Sequence, residues 1–93
     1  MREVIIPFDS KMIDRNGTVY HVRVIGFERP DGMWEGCVEF ETESGGRVRT
    51  GVETTQPNGT DLEDWATSFE PDYLESALAR AALKVRHAVP HKT

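Results

Sequence analysis

The chain has 93 residues, a formal net charge of −5, 38% hydrophobic residues and 29% charged residues. That suits one domain with a modest core and is not a disordered composition. The negative balance weighs against nucleic acid or anionic membrane as partners, since both need clustered cations, and no apolar run approaches the roughly 20 residues that span a bilayer.

The N-terminal Met1 to Pro7 has one early cation and an apolar run too short for a signal segment. A cytoplasmic setting is therefore expected. Glu3 to Phe8 reads as an extended, apolar edge segment, because Pro7 interrupts it and proline cannot donate within a central strand. A first full strand is expected around Lys11 to Arg15. Asn16-Gly17 is the strongest two-residue hairpin signal, since both central positions of a type I′ turn take positive φ. That turn sets Ile13 opposite Tyr20 and puts Lys11 on the same face as Val22.

Two more turns follow. Pro30-Asp31-Gly32 and Glu43-Ser44-Gly45 each fit a three-residue loop closed by glycine in the left-handed region. The first sets Val24 opposite Val38 and Val22 opposite Phe40. The second sets Phe40 opposite Val48, Val38 opposite Thr50, and Gly36 opposite Val52. One face then carries Tyr20, Val22, Val24, Trp34, Val38, Phe40, Val48 and Val52. The other carries a row of Arg23, Glu39 and Arg49 and a row of His21, Glu41 and Arg47. A one-residue slip in either hairpin would destroy both patterns, so the register is strongly specified.

After Thr54 the hydrophobic period changes from two to that of a helix. Thr60 and Glu63 have the spacing of a capping box. Leu62, Trp65, Ala66 and Phe69 then form one face of a short helix. Pro71 breaks it and opens a second helix, running to about Ala88. The buried stripe expected there is Leu74, Ala77, Leu78, Ala81, Ala82, Val85 and Ala88, with Tyr73 and Leu83 outside it. Acids crowd from Glu53 to Glu75 and bases from Arg80 onward, which complements the helix dipole. The fold class is therefore α+β: a four-stranded antiparallel β-meander, then a short and a longer C-terminal helix packed on one sheet face. Residues 1–93 form one domain, with 89–93 a flexible tail.

Catalytic and cofactor signatures are absent. There is no glycine-rich phosphate loop and no nucleophile elbow. Cys37 is the one cysteine, which excludes an internal disulfide and a paired-cysteine metal site. His87 and His91 have the spacing of two ligands on a helix, but Pro90 lies between them. No catalytic, cofactor or metal residues are assigned. His21 beside Glu41 is a weak ligand or acid–base candidate, read more simply as a solvated cross-strand pair. Thr55, Gln56 and Asn58, in the stretch from Thr54 to Asn58, could hydrogen-bond a ligand; such runs more often satisfy the backbone of a turn.

One feature resists that plain reading. Ile25 and Cys37 lie side by side on the polar face, Phe27 lies next along, and Met12 is expected to join them. These four are the candidate protein interface, covered by the Val4 to Ile6 segment or by a second copy of the chain. The expected role is a non-catalytic domain that self-associates or binds a protein partner. A nucleic-acid-associated domain using Arg23, Arg47 and Arg49 is the first alternative. A small-ligand binder or enzyme using His21 or the Thr54 to Asn58 stretch is the second, its ligand unspecified.

Overall fold

A computed structural model describes residues 2–88. The expected tail at 89–93 lies outside the described residues. The fold is α+β. Strand β1 (Arg2–Ile13) pairs antiparallel with β2 (Val19–Glu28), and β2 pairs with β3 (Trp34–Thr42). The far edge of β3 holds two short strands end to end, β4 (Arg47–Arg49) and β5 (Thr54–Gln56). Helices α1 (Gly59–Ala66) and α2 (Pro71–Ala88) follow and lie on one face. Among the described residues, no helix is long and apolar enough to cross a membrane.

The β2–β3–β4 register is the one the turns specify. Val24 faces Val38, Val22 faces Phe40, and Phe40 faces Val48. Gly32 and Gly45 sit at φ +88° and +96°, closing their loops in the region L side chains avoid.

The first hairpin departs from expectation. Met12, not Ile13, lies opposite Tyr20. Asp14 N–H donates to the Thr18 carbonyl and Gly17 N–H to the Asp14 carbonyl, each at 3.0 Å. Only Gly17 takes positive φ, so Arg15-Asn16-Gly17 is a three-residue loop like the other two. The cause is Asp14, whose Oδ1 accepts from the N–H groups of Asn16 and Thr18 at 2.9 Å. That turn on the aspartate side chain moves the corner back one residue. Met12 therefore joins the helix-facing side, while Lys11 and Ile13 turn to the outer face. The register shifts again between Ile6 and Ser10, so Val4 to Ile6 is the first part of β1 and an edge strand.

A second departure is on the far edge. Gly36 pairs with Thr54, not Val52. The extra residues between Thr50 and Glu53 split the edge strand in two, and Val52 is 57% exposed and not on the core face. Thr50 secures the bulge. Its N–H donates to the Val38 carbonyl at 2.9 Å, and its Oγ1 accepts from Val38 N–H at 3.0 Å.

At α1 the cap is Asn58, not Thr60. Asn58 is extended, and its side chain accepts from Asp61 N–H at 2.8 Å. The core has two parts. Phe40, Val22 and Val38 of the sheet are buried with Leu74, Ala77 and Ala81 of α2. Val24 and Ile6 of the sheet are buried with Leu62 and Ala66 of α1. Trp65 and Phe69 touch both parts, Trp34 borders the second, and all three are only partly buried. Tyr73, expected off the buried stripe, stacks on Phe69 with ring centroids 4.8 Å apart.

Candidate functional site

The outer sheet face carries a connected set of charges. Glu41 receives Arg23 at 2.8 Å and Arg47 at 3.4 Å. Glu39, nearly buried, receives Arg49 at 2.8 Å and Arg23 at 3.6 Å. Arg49 also reaches Glu3 on β1 at 3.2 Å, and its guanidinium lies 6.0 Å from the Phe27 ring centroid. Hydrogen bonding to Glu39 holds the Arg49 pKa above its ordinary value, against the opposing cost of burial.

This arrangement bears directly on the apolar patch. Ile25 and Cys37 are 2% and 3% exposed, and Phe27 is half-buried. Arg49 is strapped between Glu39 on β3 and Glu3 on β1, with its head among carboxylates and near the Phe27 ring. Ile5 extends the row as Ile25's neighbour on β1 and is exposed. The Val4 to Ile6 segment widens the sheet instead of folding over it. Three of the four candidate interface residues are thus brought together on this face, and Met12 is not among them.

The polar candidates separate. His21 stays opposite Glu41 but is exposed, and both Glu41 oxygens are engaged by arginines. Gln56 Nε2 donates to Thr54 Oγ1 at 2.7 Å, Thr55 pairs with Glu35 in the sheet, and Asn58 caps α1. Neither of the two cavities described among these residues is lined by any of them. Among the described residues, no three potential metal ligands converge. The His87 side chain and His91 lie outside the described groups.

The open site lies elsewhere, between α2 and the turn end of the sheet. It is a groove of about 630 Å³. Its floor is apolar: Met12, Tyr20, Phe40, Val48, Leu78 and Ala82. Its rim is polar, with Asp14, Arg15 and Arg47 on the sheet side and Glu75 on the helix side. Tyr20 OH donates to Asp14 Oδ2 at 3.2 Å. Burial, and then the Asp14 carboxylate, push the Tyr20 pKa up, so this phenol is a neutral donor and a poor base. Ala79 and Ala82 present little bulk on the helix side of the groove. Sequence periodicity marked Ala82 as buried; in the structure it lines the open groove. The missed signal was the run of small residues facing Phe40 and Val48, although its meaning depends on where α2 docks.

The far side of α2 is tied down. Tyr73 OH donates to Glu53 Oε1 at 2.7 Å, and Arg80 pairs with the same carboxylate. Burial, helped by Glu53, holds the Tyr73 pKa well above its ordinary value.

Comparison with protein-family models, with curated proteins and with solved structures finds no match to this chain.

Proposed function

We propose that the chain is a non-catalytic cytoplasmic domain that works by protein association, with a second copy of itself as first partner. The observation that carries this reading is the open apolar groove between α2 and the turn end of the sheet. Leu83 on α2 adds exposed apolar surface at 48% accessibility. Apolar area in contact with water costs about 25 cal/mol per Å², so a surface of this kind favours a partner. The outer-face patch is a weaker candidate, because Ile25 and Cys37 are already buried and the Arg49 guanidinium lies near the Phe27 ring. The nucleic-acid reading loses support for a related reason: Arg23, Arg47 and Arg49 are each bonded to a carboxylate.

Light scattering coupled to size exclusion tests the reading. The expected result is a mass that rises above the 10.5 kDa of one chain as concentration increases. A monomer at every concentration up to the solubility limit overturns self-association.

A further inference from the structure

We infer that the groove binds a free single-chain amphiphile, an unbranched acyl chain with an anionic head, its tail on the apolar floor and its head at the turn end of β1. This goes beyond the association reading: the occupant is a small molecule, and one chain binds it.

The groove does not end at its own rim. A second cavity of about 340 Å³ lies between the end of β1 and the start of α2, bordered by Ser10, Lys11, Phe69, Pro71 and Leu74. Met12 and Glu75 line both cavities, so the two adjoin. The space they make is longer than the groove alone and is narrowest where they meet. Met12 is an adaptable wall at that junction, because its unbranched side chain turns about three bonds. The larger cavity, at about 630 Å³, has the size of a small-molecule site, a class that runs from roughly 300 to 1,000 Å³. An elongated space suits a long, thin body. An acyl chain also brings no polar group to be satisfied against Phe40, Val48 and Leu78.

The charges select the head. Among the described lysine and arginine side chains, Arg23, Arg29, Arg47, Arg49 and Arg80 are all in ion pairs. Lys11 and Arg15 are in none among the described residues, and both are exposed. Arg15 borders the groove and Lys11 its extension. In a chain of net charge −5, two unpaired cations beside one cavity system are a local reversal of sign, and such a reversal attracts an anion. The carboxylates nearby do not cancel it. Asp14 is engaged by the N–H groups of Asn16 and Thr18 and by the Tyr20 hydroxyl. Glu75 stands on the helix side, across the groove from Arg15. An ammonium head at the turn end would meet Lys11 and Arg15 as like charges.

The test compares three probes with one tail: decanoate, decanol and decyltrimethylammonium. Each is titrated into the full chain below its micelle-forming concentration, and amide chemical shifts are followed by NMR. Decanoate should saturate and shift the amides of Met12, Tyr20, Val48 and Leu78. Decanol should bind more weakly, and the cation weakest. Arg15→Glu should weaken decanoate about fivefold and leave decanol unchanged. Ala82→Leu, which takes up tail space, should weaken both, with circular dichroism confirming that each variant is folded. Phosphatidylglycerol vesicles, whose chains are already buried, should not sediment the protein. Absence of saturable decanoate binding overturns the inference, and so does equal affinity for the three heads, which needs no variant. Shifts confined to the outer sheet face overturn the site, and sedimentation with the vesicles overturns the free ligand. A parent that binds decanoate while staying monomeric upholds this inference and overturns self-association alone.

Discussion

The two helices meet the sheet in opposite ways. At the α1 end, Gly26 and Gly36 face each other on β2 and β3 and leave a dimple in the sheet. Leu62 fills it completely. A Cβ placed on Gly26 would stand 2.8 Å from Leu62 Cδ2, and one on Gly36 would stand 2.7 Å from Leu62 Cδ1. At the α2 end the small residues are on the helix, and nothing fills the space that Ala79 and Ala82 leave above the turn end of the sheet. Small residues on a sheet under a leucine make a joint. Small residues on a helix over a groove leave room for something else. The α1 end is closed by Leu62, while beside its buried face α2 leaves a groove open.

The largest effect should come from emptying the joint. Leu62→Ala removes the side chain that fills both glycine positions, and should cost about 2–5 kcal/mol in urea unfolding. A loss below 1 kcal/mol would break the comparison, because the α1 end would then be no more tightly packed than the groove.

Overfilling the joint comes next. Gly36→Ala puts a methyl group against Leu62, with Thr54 Cγ2 at 3.2 Å and Trp65 Cζ3 at 3.4 Å. Wedged against Gly26 as well, Leu62 has little room to yield, and the expected cost is about 1–3 kcal/mol. In a Leu62→Ala background the same substitution should cost less, or even help. That coupling, measured as a double-mutant cycle, identifies the contact itself.

These features were unequally legible in the sequence. The β2–β3–β4 register could be read because two glycine-closed turns agreed with two face patterns. The first hairpin could not be read from Asn16-Gly17 alone. Asp14-Arg15-Asn16-Gly17 repeats the layout of Arg29-Pro30-Asp31-Gly32 and Thr42-Glu43-Ser44-Gly45, and the aspartate at its head was the signal to weigh. One residue of slip carried Met12 to the wrong face and brought Lys11 into the core pattern. The bulge after Thr50 was equally hidden, since alternation says nothing about a residue that leaves the ladder. The Arg49 strap across the outer face depends on its reaching Glu3, and those residues are 46 positions apart. The groove belongs to tertiary docking and has no local signature.

A smaller effect should come from the tie between α2 and the split edge strand. Tyr73→Phe removes the hydrogen bond to Glu53 and should cost about 1–2 kcal/mol near neutral pH. The pH dependence has a definite sign. Burial and Glu53 raise the folded-state Tyr73 pKa above its ordinary value of 10.0. Above about pH 10 the unfolded chain loses this proton while the folded chain keeps it, so stability falls as pH rises. Below that pH the contribution is fully present. Tyr20, raised for a similar reason, adds to the same fall. Urea unfolding at about pH 9 and pH 10.5 should show the parent losing stability and Tyr73→Phe losing less. Equal losses in the two proteins would mean that the Tyr73 hydroxyl is not held by Glu53.

The smallest effect carries the opposite sign, and so divides the two ends most sharply. Ala82→Leu adds bulk just as Gly36→Ala does, but into open space over Phe40 and Val48. Leucine and alanine differ little in helix propensity, so the backbone has no reason to object. The added side chain buries itself and part of the floor, and should stabilise the monomer by about 0.5–1 kcal/mol. The measurement belongs at low concentration, where association does not contribute to the apparent stability. A destabilised monomer would show that the groove is closed in solution.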